Sequence, residues 1–214
     1  MNQTAAFPLV RRLSSFVTPL LLRLPVSANQ VTLASLVFGL LAAWLLAMNA
    51  QLGAALLLLV AYILDNCDGE VARAKNQCSE FGKRFDSFVD WLVHTAFFIG
   101  LGHGVAAESQ SDIWLWLGYI AGTGGTINYA FGQYFETIDA KKTAETGTEP
   151  SHAPHGWIEW LVFIFRELSR ADFCFLVLLL ALADGLWLLL PAGAIGAQVY
   201  WGLQFLSFAR RFHA

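Results

Sequence analysis

Asp65, Asp68, Asp86 and Asp90 recur at regular spacing in one short stretch of an otherwise apolar chain. It reads Asp65-Asn66-Cys67-Asp68-Gly69-Glu70-Val71-Ala72-Arg73, then eight residues, then Gly82-Lys83-Arg84-Phe85-Asp86-Ser87-Phe88-Val89-Asp90. On helices, Asp65 and Asp68 form an i, i+3 pair and Asp86 and Asp90 an i, i+4 pair, so each pair shares a face. Carboxylates packed together at the edge of a bilayer repel one another and are poorly solvated, so cations belong among them. A cluster shared by two helices suits two divalent ions about 3.5–4 Å apart, an arrangement that serves phosphoryl chemistry. Hard oxygen ligands select Mg²⁺ or Mn²⁺, with Ca²⁺ as a competitor. Gly69 and Gly82 remove side chains where a nucleotide or a neighbouring helix needs close approach. Arg73, about one turn beyond Asp68, offers a planar fork to a diphosphate. Metal and arginine facing a diphosphate imply displacement at phosphorus with a stabilised leaving group.

The elements that hold these residues follow from composition. The chain has 214 residues, of which 57% are hydrophobic and only 14% charged, against about 25% charged for a soluble domain. It reads as one integral membrane domain over 1–214, all-α, with about six transmembrane helices. The apolar runs lie near 31–48, 53–68, 85–105, 113–135, 171–190 and 192–208. Before them, 9–26 is apolar but broken by Arg11, Arg12, Pro19, Arg23 and Pro25. It is expected as an amphipathic helix lying in the membrane interface. The polar stretch 136–170 is expected to form a cytoplasmic loop, followed by an interfacial helix near 157–168. The first residues lack a basic region followed by an apolar core, so no cleavable signal peptide is expected.

Charge placement orients the chain. All 13 Lys and Arg fall in the N-terminal segment, between the second and third runs, within 141–170, or at the C-terminus. The opposite connections hold Gln51, Glu108, Asp112 and Asp184 and no basic residue. The positive-inside rule then puts both termini and the aspartates on the cytoplasmic side of a multi-pass protein of the inner (cytoplasmic) membrane. A net charge of −3 offers no basic field for nucleic acid. Cys67, Cys78 and Cys174 have no metal-binding spacing and read as free thiols.

The string Asp65-x2-Asp68-Gly69-x2-Ala72-Arg73-x8-Gly82-x3-Asp86-x3-Asp90 resembles the signature of the CDP-alcohol phosphotransferase family at all eight of its fixed positions. Asn29-Gln30-Val31-Thr32 is similar to the family's Pro-Asn-x-x-Thr element, with Ala28 in place of the proline. The resemblance implies that an acceptor hydroxyl attacks the phosphorus bearing the donor's alcohol group, forming a phosphodiester and releasing CMP. It implies metal binding by Asp65, Asp68 and Asp86, with Asp90 completing the cluster and serving as general base. Gly69, Ala72, Arg73 and Gly82 would contact the CDP moiety, with Asn29 and Thr32 beside them. It also implies a homodimer. The donor expected is a CDP-alcohol such as CDP-diacylglycerol, in phospholipid biosynthesis, and the acceptor is left open.

Plainer readings stand beside these. The aspartates would otherwise be helix caps and interfacial ion-pair partners of Lys83 and Arg84. His94, one turn past Asp90, is either a tuning partner of that aspartate or a core histidine bonded to a neighbouring helix. His152 and His155 read as loop histidines, and Gly122-Thr123-Gly124-Gly125 as a site of close helix packing. Arg166 and Arg170 are candidates for recognising a phosphate-bearing acceptor or are topological anchors. Most of the tryptophans mark span ends. Two other functions use carboxylates in membranes. An intramembrane prenyl transferase would carry two aspartate motifs far apart in the chain. A cation transporter would bind near the bilayer midplane on broken helices.

Overall fold

The apolar runs fold into helices joined by turns of a few residues. A computed structural model describes residues 9–146 and 173–212. In chain order the helices are α1 (Leu9–Leu22), α2 (Ala28–Ala47), α3 (Gln51–Ala74), α4 (Glu80–Ser109), α5 (Ile113–Thr146), α6 (Phe173–Leu182) and α7 (Leu189–Phe212), with a 3₁₀ turn at Leu186–Leu188. Four stretches among the described residues are long and apolar enough to cross a bilayer: Ala28–Ala47, Gln51–Ala74, Glu80–Ser109 and Leu186–Leu206. The chain is a multi-pass membrane protein. The span expected at 113–135 lies within the longer, more polar α5, and that expected at 171–190 is divided, among described residues, between the short apolar α6 and the start of the Leu186–Leu206 stretch.

Two boundaries differ from the sequence reading. The run expected at 53–68 continues as helix to Ala74, because Gln77 N–H bonds back to Ala72 O and Lys75 N–H to Val71 O before the chain turns. The helix expected to stop at 135 continues to Thr146, so the polar loop does not begin at Glu136. Nothing in 136–146 breaks a helix: Ala, Lys and Glu are good formers, and polarity alone is no stop signal. Arg166, Arg170, His152, His155 and the segment 157–168 lie outside the described residues.

The interhelical turns use left-handed residues at Asn49, Asn76, Gln110 and Asp184, where asparagine and aspartate tolerate positive φ better than most side chains. Short connections join α2 to α3 and α4 to α5 as packed antiparallel neighbours, whereas α3 and α4 both pack on α2. α2 packs on α3 and α4, α4 on α5, α5 on α7, and α3 on both α1 and α6. The interior is built on Leu46, Leu58, Phe97, Leu101, Leu186 and Leu190. Leu33, Val37, Trp44, Leu56 and Ile195 point outward, as a bilayer rather than water requires.

Glycines set how closely the helices approach. A Cβ on Gly100 would stand 2.2 Å from Ala43 O, and one on Gly104 2.1 Å from Leu46 O, so α4 lies backbone to backbone on α2. Gly102, on another face of α4, meets α5 at Trp114 and Gly118. Gly124 touches Ala197 and Gln198 of α7, in keeping with close packing at that site.

α1 turns its polar side inward. Ser14 and Thr18 are buried while Leu9, Leu13, Phe16 and Leu20 are exposed. Ser14 Oγ donates to Glu70 Oε1 at 3.1 Å and Thr18 Oγ1 donates to Glu70 Oε2, so one carboxylate clasps α1 to α3.

Candidate active site

Each carboxylate is placed by the end of a helix. α3 runs past its apolar portion to carry Asp65 and Asp68, and α4 begins at an N-cap, Ser79, whose Oγ accepts from Gly82 N–H at 3.0 Å. The connection between them closes the ends together. Lys75 Nζ donates to Leu24 O at 2.9 Å and to Val26 O at 2.7 Å, and Gln77 Oε1 accepts from Ala28 N–H at 2.9 Å. The start of α2 is thus stapled against the end of α3. Its first turn is closed by a capping box between Ser27 and Gln30.

In this frame Asp65, Asp68 and Asp86 each bring a carboxylate oxygen within 4.8 Å of the others. Asp68 is buried; Asp65 and Asp86 are half-buried. Asp90, a turn further along α4, is not one of those three. It lines a small cavity with Asp65, Ser35, Tyr62 and His94. The four aspartates therefore divide into a close triplet and a fourth carboxylate beside it.

Around the triplet, Thr32 is buried and its Oγ1 donates to Asp68 Oδ2 at 2.5 Å. That hydroxyl is directed at a carboxylate of the cluster. Asn29, one turn earlier on α2, comes to Gly82: a Cβ there would meet Asn29 Oδ1 at 3.3 Å. Arg73 is exposed and its guanidinium folds over Gly69, where a Cβ would stand 3.3 Å from Nη1. Ala72 gives its carbonyl to Gln77 N–H and so helps end α3. Asn29, Gly69, Arg73 and Gly82 thus border the carboxylates at the ends of α2, α3 and α4.

Sequence reasoning missed Tyr62, Glu70 and Lys75. Tyr62 stands three residues before Asp65, a same-face spacing that could have drawn notice. Glu70 and Lys75 act on partners far away in sequence, which no local pattern shows. His94 is the histidine bonded to a neighbouring helix: Nε2 lies 2.8 Å from Tyr62 Oη on α3. Cys67, Cys78 and Cys174 form no disulfide among the described residues, and the first and last of them are buried.

Three oxygen donors of the hard type, close enough to repel one another, fit a divalent cation better than any monovalent partner. Thr32 supplies the outer hydrogen bond that a ligating carboxylate ordinarily has.

The chain resembles known proteins in sequence and in fold. The family model described as CDP-alcohol phosphatidyltransferase matches residues 25–148, more than half of the chain. A bifunctional IPC transferase and DIPP synthase of Rubrobacter xylanophilus is 42% identical over 94 residues, covering 42% of this chain and 21% of that protein. An archaetidylinositol phosphate synthase of Pyrococcus horikoshii is 33% identical over 81 residues, covering 38% of this chain and 43% of that protein. The matches span less than half of the length of these curated relatives. A crystal structure of Mycobacterium tuberculosis phosphatidylinositol phosphate synthase with CDP-DAG bound shares the fold. Its TM-score is 0.56 at 22% identity, over 90% of this chain and 93% of that one.

Proposed function

The chain belongs to the CDP-alcohol phosphatidyltransferase family, and from that premise we propose that it transfers a phosphatidyl group from CDP-diacylglycerol to an acceptor alcohol, releasing CMP. The observation that carries this reading is the Asp65, Asp68 and Asp86 triplet beside a separate Asp90. Three carboxylates close together suit metal binding, and a fourth beside them suits a different role.

Asp65, Asp68 and Asp86 would hold Mg²⁺ or Mn²⁺, two ions when Asp90 completes the set. Bound metal neutralises charge on the diphosphate and on the departing CMP. Arg73 reaches from the rim over Gly69 to the donor's phosphates. Gly69 and Gly82 leave room for the CDP moiety, with Asn29 beside Gly82 and Ala72 on the same helix end. Asp90 takes the proton from the acceptor hydroxyl as its oxygen bonds to the phosphorus bearing the diacylglycerol. The bond from that phosphorus to the CMP oxygen breaks, and CMP leaves with the electron pair.

The site would open at the cytoplasmic edge of the inner membrane, with both termini on that side and the whole chain acting as one domain. CDP-diacylglycerol would enter laterally from the bilayer and the acceptor from the cytosol. α1, with Leu13, Phe16 and Leu20 outward and Arg11 and Arg12 exposed, would lie in the interface of that leaflet. A homodimer is part of the same proposal. Two of the comparison proteins are named as inositol phosphate lipid synthases, so inositol phosphate is the acceptor to try first, with glycerol phosphate second.

The test is CMP release by the purified chain in lipid, with CDP-diacylglycerol, Mg²⁺ or Mn²⁺, and a radiolabelled panel of inositol phosphate, glycerol phosphate and serine. One acceptor should be converted to a labelled lipid. Metal-dependent CMP release with none of the panel, or no release at all, would count against the reading.

A further inference from the structure

We propose that Tyr62 and His94 are a positioning pair that sets the separation of the Asp65 and Asp90 carboxylates between α3 and α4. The proposal rests on the role given to Asp90 above. Tyr62 precedes Asp65 by three residues and His94 follows Asp90 by four, so each lies one turn deeper than its aspartate and on the same face. Between the two helices Tyr62 Oη and His94 Nε2 are 2.8 Å apart. All four side chains line one small cavity.

The hydrogens in this pair are fixed by chemistry. His94 Nδ1 lies 2.8 Å from the backbone carbonyl of Asp90. A carbonyl only accepts, so Nδ1 carries the hydrogen and Nε2 accepts from the Tyr62 hydroxyl. Both ring nitrogens are then used, and the imidazole is fixed in plane and in flip. Its outer side is backed by Phe173 of α6 at 5.7 Å between ring centroids, and Phe173 meets Phe97 edge-on at 5.3 Å. The pair is therefore braced from three helices.

Such a brace opposes the force the site creates. Carboxylates that face one another push their helices apart. A cross-helix hydrogen bond one turn deeper resists that separation and tethers the Asp90 backbone through the same imidazole. Attack at phosphorus depends on the distance between the proton-accepting carboxylate and the metal-binding one. A displacement of about 1 Å costs on the order of 100-fold in rate.

The experiment uses the full chain in lipid and compares Tyr62→Phe, His94→Leu, His94→Gln and the double variant Tyr62→Phe/His94→Leu. The readouts are kcat and KM for CMP release, thermal midpoint, and the electron paramagnetic resonance spectrum of bound Mn²⁺. Loss of the hydrogen bond should lower kcat by about 10- to 100-fold, with KM for CDP-diacylglycerol within a few-fold and a nearly unchanged midpoint. His94→Gln should recover part of kcat, because its Oε1 can accept from Tyr62 at the place of Nε2. The double variant should be no slower than the slower single one. Unchanged kcat, a loss of rate that tracks the fall in thermal midpoint, or fully additive losses would overturn the pairing.

If the unaltered chain releases no CMP, the functional reading fails by itself. The pair is then judged on Mn²⁺ alone: a spectrum altered by Tyr62→Phe and by His94→Leu, and closer to the original in His94→Gln, supports it, and identical spectra in all variants sink it. If Tyr62→Phe does not fold, His94→Leu against His94→Gln decides by the same readouts.

Discussion

Thr32 on α2 and Asp68 on α3 are joined by a 2.5 Å hydrogen bond that spans 36 positions of sequence. The hydroxyl donates to a carboxylate of the acidic triplet, and the short distance marks a charge-assisted bond. It fixes which way Asp68 points. Thr32→Val keeps the shape and removes the donor, so Mn²⁺ affinity should fall by about 10- to 100-fold, as for other outer partners of metal ligands. Titration of Mn²⁺ into the two proteins measures it. An equal loss of CDP affinity without metal would instead make Thr32 a direct donor contact.

Arg73 and Gly69 share one small space. Arg73→Ala should weaken binding of the CDP donor by about 1.5–3 kcal/mol through loss of a charge-assisted bond. Gly69→Ala puts a Cβ 3.3 Å from the guanidinium, and a flexible arginine can move aside without unfolding the chain. Its donor KM should therefore rise while thermal stability stays within about 0.5 kcal/mol of the parent. Isothermal titration with a CDP-alcohol and a melting curve separate the two effects.

Asp90 lies beside the triplet, sharing a cavity with Asp65, and should respond differently from it. Asp90→Asn should abolish turnover while the CDP-alcohol still binds, because the amide cannot take a proton. Asp68→Asn should lower both metal binding and turnover. Equal activity of the Asp90 variant and the parent would remove that residue from the mechanism.

Gly104 is a test of packing away from the chemistry. A Cβ there would stand 2.1 Å from Leu46 O, and backbone cannot yield as a side chain can. Gly104→Val should destabilise the α2–α4 contact by about 1–3 kcal/mol, the usual cost of overpacking. A lowered thermal midpoint in detergent reports it. Gly132, where an added Cβ meets nothing within 4 Å among the described residues, should tolerate alanine.

The clasp of α1 offers a fifth test. Glu70 takes two hydroxyls, and Thr18→Val with Ser14→Ala would leave its carboxylate half-buried without them. Loss of two such bonds should cost about 1.5–3 kcal/mol apiece at most. Faster proteolysis at the α1–α2 connection would show α1 released; an unchanged digestion pattern would show that its outward apolar face holds it alone.

The sequence by itself determined the class of protein and the candidates for the reacting groups. Apolar runs too long and too poor in charge for a soluble fold dictate membrane helices, and Asp65, Asp68, Asp86 and Asp90 at fixed helical intervals dictate paired carboxylates. Such features are local: spacing along one helix decides which side chains share its face. Helix ends were less legible. α3 and α5 run past the points where polarity begins, because composition changes at a membrane edge without any residue that breaks a helix.

Only tertiary structure decided what meets across helices. Phase and depth of α4 against α2 and α3 place Asp86 with Asp65 and Asp68 but put Asp90 beside Tyr62 and His94. That offset depends on backbone contacts at Gly100 and Gly104, well away from the acidic stretch. The bonds from Thr32 to Asp68, from Glu70 to α1 and from Lys75 to the α1–α2 connection also join residues dozens of positions apart. A hydrogen bond forms where donor and acceptor arrive together, and the folded packing of the helices alone sets that meeting.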